Sequence, residues 1–295
     1  MKFKFRRYYL YYLGRCLAFI IYLFPLRMGL ILASLLGRIA FGLVPKYRNL
    51  ALENLRAAFP EKGEAEIRRI AIGVFENLAK VGIELINFPK ITKDNLDRFV
   101  TVENIGIFDE ARKKGNGIIV LTAHFGNWEL LAMTIRLKGY PGAAVGRRIY
   151  FHKFDRYLNE LRKTGLVNVI DRTESPRRFL KVLRSNEILG MLADQDVDSV
   201  EGVFVNFFGT PAYTPIGPAV LASVTGAALV PVFIVRKGLR HRFIVEKPVE
   251  LVDTGNKEAD ILTNTQKWSD VVESYIKKYP DHWVWMHRRW KTRPK

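Results

Sequence analysis

His124 and Glu129, within the run His124-Phe125-Gly126-Asn127-Trp128-Glu129, set an imidazole and a carboxylate five positions apart where a hydrophobic stretch ends. A neutral imidazole can take a proton from a hydroxyl near neutral pH, and a carboxylate can hold its tautomer and stabilise the imidazolium that forms. Five positions along one helix turn two side chains apart by roughly 140°, so the pair should not share a helix. Residues 117–123 read instead as a buried strand and 128–137 as the helix after it, with Gly126 and Asn127 as turn and N-cap. His124 at the strand's end can then meet Glu129 on the first helical turn, at the carboxyl edge where α/β sheets bind ligands. On spacing alone two readings stay open: a general base with its partner, or a structural histidine at a helix start.

Other chemistries find little support in the chain. It has no Gly-x-Ser-x-Gly elbow, no Gly-x-x-x-x-Gly-Lys phosphate loop and no His-Glu-x-x-His helix. His152, His241, His282 and His287 lack sequence-level partners and read as surface or packing residues. The expectation is an enzyme without metal or cofactor, in which His124 deprotonates the acceptor directly and a separate group stabilises the oxyanion.

The elements that must position this pair follow from periodicity. Residues 64–87 carry apolar side chains at helical spacing, and residues 46–60 form a basic amphipathic link before them. Strand-like segments at 143–145, 167–170, 188–193, 203–208, 229–235 and 243–247 alternate with helices at 154–162, from Ser175-Pro176 onward, 216–225 and 258–278. That alternation predicts an α/β fold with a mixed central sheet flanked by helices. No repeat or low-complexity tract interrupts it, which leaves residue 45 as the credible boundary: residues 1–45 an N-terminal anchor, residues 46–295 the α/β domain.

The 295 residues carry a formal charge of +18, which calls for an anionic partner: nucleic acid, an anionic membrane or an acidic protein. Between Tyr8 and Pro45 the only charges are Arg15, Arg27 and Arg38 amid Leu, Ile, Phe and Tyr. Apolar runs such as 16–26 are shorter than the roughly 20 residues of a comfortable span. Two membrane-associated helices broken near Pro25, with snorkelling arginines and interfacial tyrosines, fit better. The basic start Lys2, Lys4, Arg6 and Arg7 has no clear cleavage site after it and reads as the cytoplasmic end of a retained anchor. Charge clustered around apolar helices, with no recognisable nucleic-acid motif, argues against a nucleic-acid partner. Cys16, the only cysteine, excludes an intrachain disulfide and reads as a small apolar filler.

Four motifs in order carry a resemblance: the His124 to Glu129 run, Asp194-Gln195-Asp196, residues 202–209 (GVFVNFFG), and residues 283–291 (WVWMHRRWK). Arg48, Asn54, Leu55 and Phe59-Pro60 add an opening segment. Together they resemble the lipid A biosynthesis (late) acyltransferases of Gram-negative bacteria, which share a His-x4-Asp/Glu motif with glycerolipid acyltransferases. The resemblance implies a glycerolipid-acyltransferase-like fold. It also implies transfer of a fatty acyl group from acyl carrier protein to a hydroxyl of a lipid A precursor, at the cytoplasmic face of the inner membrane. His124 would be the base and Glu129 its partner. Arg147 and Asp155 match the family's Arg and Asp, but Arg148 stands where the family has Pro and Phe151 where it has Asn. Arg147 is the candidate for binding acceptor phosphate or stabilising the oxyanion, because its fixed guanidinium suits either task. Asp194 and Asp196 follow a hydrophobic run and could orient His124 or hold the sugar. The aromatic and basic residues from 283 to 295 suit phospholipid headgroups or a phosphorylated acceptor, or else a terminal helix with a solvated tail. A lysophospholipid or glycolipid acceptor, and a non-catalytic lipid-binding or nucleic-acid-binding role, remain the alternatives.

Overall fold

A computed structural model describes residues 5–294, so Lys2 and Lys4 lie outside the described residues. The fold is α/β. Its centre is a seven-stranded sheet in the order β1-β9-β8-β2-β5-β3-β4, parallel except where β8 meets β9. In chain order the strands are β1 (Val100–Glu103), β2 (Ile118–Thr122), β3 (Gly142–Gly146), β4 (Asn168–Asp171), β5 (Ile188–Leu192), β6 (Gly202–Phe207), β7 (Thr210–Pro215), β8 (Ala228–Lys237) and β9 (Arg240–Val245). The helices are α1 (Phe5–Leu23), α2 (Leu26–Leu43), α3 (Pro45–Ala58), α4 (Glu64–Ile86), α5 (Gly106–Arg112), α6 (Trp128–Leu137), α7 (His152–Thr164), α8 (Pro176–Arg184), α9 (Gly217–Thr225) and α10 (Lys257–Lys278).

Every residue of β2 is buried, as a central parallel strand covered on both faces must be. Ile119 and Leu121 face one core with Val74, Phe75, Trp268 and Val272 of α4 and α10, while Ile118 and Val120 face another with Leu130, Leu131 and Met133 of α6. Both faces of the sheet are covered by apolar cores, which leaves its carboxyl edge to hold whatever the loops present.

Three expectations change. Residues 203–208 do form a strand, but β6 pairs antiparallel with β7 in a separate hairpin outside the central sheet, because Gly209 with φ +72° turns the chain straight back. The basic link after Pro45 is a regular helix, α3, started by proline at its first turn. Residues 283–294 form no terminal helix. They cross the domain as an irregular strap and bury Trp283, Trp285 and Arg289.

The break at Pro25 divides α1 from α2. Gly37 lets α2 approach the α4 backbone so closely that an added Cβ would lie 2.6 Å from the Glu76 Cα, and Leu30 and Ala33 meet Ile83 nearby. The opposite face of α2, including Ile31, Leu35 and Ile39, is exposed. Among the described residues α2 is the one helix long and apolar enough to cross a membrane. On α1, Tyr11 packs edge-on against Phe154 and the Lys153 Nζ donates to the Tyr12 hydroxyl at 2.6 Å. Cys16 is exposed rather than a buried filler, because α1 turns only a narrow stripe including Ala18 inward.

Candidate active site

Strand register assembles the site. β2 and β5 run parallel with Thr122 opposite Leu192, so two residues past the end of each strand His124 and Asp194 stand side by side. The His124 Nδ1 lies 2.9 Å from the Asp194 Oδ1, and the His124 backbone N–H donates to the Oδ2 at 3.0 Å. The indole N–H of Trp283 donates to the same Oδ2 at 2.8 Å. Asp194 is thus buried and fully engaged, while 28 % of the His124 side chain stays exposed and its Nε2 has no partner among the described residues. An imidazole bonded through Nδ1 to a carboxylate carries its proton there and leaves Nε2 as the acceptor.

The electrostatics favour the same tautomer. Burial alone would push the His124 imidazole down, but the charge and hydrogen bond of Asp194 outweigh it, Glu129 adds to them, and the pKa rises above the ordinary histidine value. Burial would likewise raise Asp194, yet the charge and hydrogen bond of His124 hold it well below the usual carboxylate range.

The turn before α6 leaves little latitude. Gly126 has φ +58°, and a Cβ there would sit 1.9 Å from the Ile234 carbonyl oxygen, so only glycine fits. Asn127 caps α6 by accepting from the Leu130 N–H at 2.9 Å. Its amide donates at 2.7 Å to Glu84, a buried carboxylate that also takes both terminal nitrogens of Arg236 and the His241 Nε2. His124 rests edge-on against Trp128 at 5.3 Å between ring centroids.

Sequence reasoning paired His124 with Glu129, and here the structure differs. Glu129 holds Arg162 of α7 through two hydrogen bonds of 2.6 and 2.8 Å, because the first turn of α6 faces α7. The hydrogen bond to the imidazole goes to Asp194, whose approach depends on strand register rather than proximity in sequence. Asp196 is also occupied: its two oxygens accept from the Thr292 backbone N–H and hydroxyl at 2.7 and 2.9 Å, which ties down the strap instead of facing an open cleft. Arg147 projects from the end of β3 at the same carboxyl edge, exposed and with no hydrogen bond or ion pair among the described residues. Arg148 pairs with Asp171 at 3.2 Å, and Asp155 accepts from the Ile149 N–H at 2.8 Å, closing the loop between β3 and α7.

The strap carries the 283–291 motif, and its packing gives those residues their partners. The Phe125 to Trp283 bridge and the Val284 N–H donating to the His124 carbonyl at 3.0 Å fasten it to the motif turn. Asn54 of α3 secures it from the other side, donating to the Trp285 and His287 carbonyls at 2.8 and 2.9 Å. His287 packs edge-on against Trp283 and is pushed down to about 4 by burial, so it is neutral beside His124 and Asp194. Arg289 is buried too, donating to the Tyr213 carbonyl and the Thr214 hydroxyl of β7. The interleaved aromatic and basic residues were therefore legible, but their headgroup-facing role was not: Trp283 and Arg289 point inward.

Beside the imidazole an apolar cavity of about 40 Å³ runs between α6 and the sheet. Thr122, Trp128 and Leu192 line it near His124; Arg136, Asn168 and Ile188 line it at the amino ends of the strands.

A family model described as bacterial lipid A biosynthesis acyltransferase matches residues 1–292. The lipid A biosynthesis lauroyltransferase of Escherichia coli (strain K12) is 27 % identical over 293 residues, covering 98 % of this chain and 93 % of the relative. The lipid A biosynthesis myristoyltransferase of the same organism is 27 % identical over 260 residues, or 88 % of this chain and 79 % of the relative. A phosphatidylinositol mannoside acyltransferase of Mycobacterium tuberculosis (strain ATCC 25618 / H37Rv) is 27 % identical over 209 residues, 70 % of this chain and 63 % of the relative. With a full-length family match joined to a buried carboxylate, an open imidazole and an adjoining apolar cavity, the chain is an acyltransferase and belongs to the bacterial lipid A biosynthesis acyltransferases.

Proposed function

We propose that this enzyme moves a fatty acyl group from an acyl carrier protein thioester to a hydroxyl of a lipid A precursor. The acceptor hydroxyl gives its proton to the His124 Nε2 as its oxygen attacks the thioester carbonyl. The carbon–sulfur bond then breaks, and the departing thiolate recovers the proton from the imidazolium. No acyl-enzyme forms. Asp194 orients the ring and stabilises its charged form, while Glu129 adds negative field and braces α6 against α7. Arg147, a free guanidinium on the same edge, is positioned to meet an acceptor phosphate or the oxyanion.

The observation that carries this reading is the open His124 Nε2 opposite a buried Asp194, beside an apolar cavity. The family match supports the lipid A acceptor, and the charge of +18 suits both an acidic carrier protein and a phosphorylated lipid. The exposed apolar face of α2 would bring the cleft to the membrane, with residues 1–45 as anchor and the cytoplasmic leaflet as the surface served. A lysophospholipid or glycolipid acceptor would use the same base.

Mass spectrometry of lipids from cells with and without the protein tests the assignment. The expected result is a lipid A precursor gaining one acyl-sized mass only when the protein is present. An acyl gain on a phospholipid instead would change the acceptor, and an unchanged profile would end the proposal.

A further inference from the structure

We infer that the exposed face of α8 is the docking surface for the acidic carrier protein that delivers the acyl thioester. The inference rests on the acyltransferase reading above and names where its donor binds.

Helix α8, Pro176–Arg184, holds four basic residues and no acidic one. Arg177, Lys181 and Arg184 stand at i, i+4 and i+7, so they share one face within about 60° of arc. All three are exposed, with no side-chain partner among the described residues. The opposite face belongs to the core, where Leu183 is buried and Phe179 and Val182 pack beside it. Carboxylates just before the helix do not neutralise the row, because Glu174 pairs with Arg178 and Asp171 with Arg148.

Helix stability does not explain three aligned cations. Like charges three and four positions apart repel along a helix, and Arg177 lies in the first turn, where the helix dipole disfavours a cation. A partner of opposite charge does explain them. A protein fits that description better than a bilayer. A helix lying on a membrane sinks apolar side chains beside its cations. The exposed Ile31, Leu35 and Ile39 of α2 suit that task, whereas none of the exposed large apolar residues belongs to α8. The position also suits a donor: α8 begins just past the end of β4, at the carboxyl edge that holds His124. β4 lies three strand spacings from β2, about 14 Å, within reach of a thioester on a flexible arm.

The test is steady-state transfer from an acyl carrier protein thioester by the full chain in mixed phosphatidylcholine and phosphatidylglycerol vesicles, with KM and kcat measured separately. Combining Arg177→Glu, Lys181→Glu and Arg184→Glu should raise KM for the carrier thioester about tenfold or more and leave kcat at saturating carrier within about twofold. The same variant should flatten the rise of KM with salt expected of wild type. Arg177→Glu alone should move KM the same way by less. Lys114→Glu, at an exposed cation on the amino side of β2, should not. An unchanged KM and salt dependence in the folded triple variant would overturn the inference while leaving the acyltransferase reading intact. So would an equal rise in KM from Lys114→Glu, or lost vesicle binding with KM for the carrier unchanged. Wild type that transfers no acyl group from the carrier thioester would instead overturn that reading and this inference with it.

Discussion

Three histidine–carboxylate pairs lie among the described residues, His124–Asp194, His241–Glu84 and His282–Asp281, and only the first leaves a ring nitrogen open at the cleft. Glu84 is buried between α4 and the sheet, with Arg236 on both oxygens, His241 on one and the Asn127 amide on the other. Burial alone would raise its pKa, but the His241 charge and the Arg236 hydrogen bonds reverse that and hold it far below the usual carboxylate range. His241 is itself sealed from solvent. Asp194 is just as deeply buried and just as fully bonded, yet its histidine keeps Nε2 free at the cleft. Both pairs have the chemistry of a base and its orienting carboxylate. Access to the second ring nitrogen separates a site from a brace.

That contrast breaks most sharply at the two histidines. His124→Ala should lower turnover by about a hundredfold to ten-thousandfold, the range for losing a general base, and lower thermal stability as well, because the buried Asp194 loses the partner that offsets its burial. His241→Ala should leave catalysis far less affected while lowering the melting temperature. A His124→Ala protein with near-normal acyl transfer would remove the distinction.

On the carboxylate side, Glu84→Gln should destabilise the fold by about 3–5 kcal/mol, because it leaves Arg236 buried without its countercharge. Chemical denaturation checks this, and an unchanged midpoint would show that the network is not bearing on stability. Asp194→Asn should chiefly cost rate, on the order of a hundredfold, because an amide can hold the wrong tautomer.

The pH profile sharpens the same comparison. In the proposed reaction His124 acts as a neutral base, so activity should rise with pH through its pKa, which stands above the ordinary histidine value because Asp194 and Glu129 outweigh the lowering by burial. Removing the Asp194 charge should move that acid limb to lower pH even as the maximum rate falls. A limb that stays in place would assign the titration to another group. The smallest effect is expected from Glu129→Gln, which should cost about 1–2 kcal/mol of stability through the loss of the charged pair with Arg162, and reduce turnover only modestly.

Much of the frame was legible locally. The strand at 118–122, the turn at Gly126, the Asn127 cap, the helix after it and the break at Pro25 each follow from neighbouring residues, because turn conformation, capping and periodicity act over a few positions. His124 stood out for the same reason. Asp194 was legible only as one candidate at a strand end, beside Glu129; it is 70 residues away and reaches the ring because β5 lies beside β2 in one register. The strap was legible as aromatic and basic but not as buried. Nothing local says that Trp283 must donate to Asp194 or that Asn54 must hold the strap from α3.

By itself the sequence determined the α/β class, the apolar N-terminal helices, the strand-to-helix turn and the histidine placed on it, all consequences of short-range periodicity and backbone preference. Tertiary structure alone decided which carboxylate bonds to that histidine, which histidine is sealed away, and that a small apolar cavity lies between α6 and the sheet. Those depend on strand order and on packing between segments far apart in the chain, where no spacing rule applies.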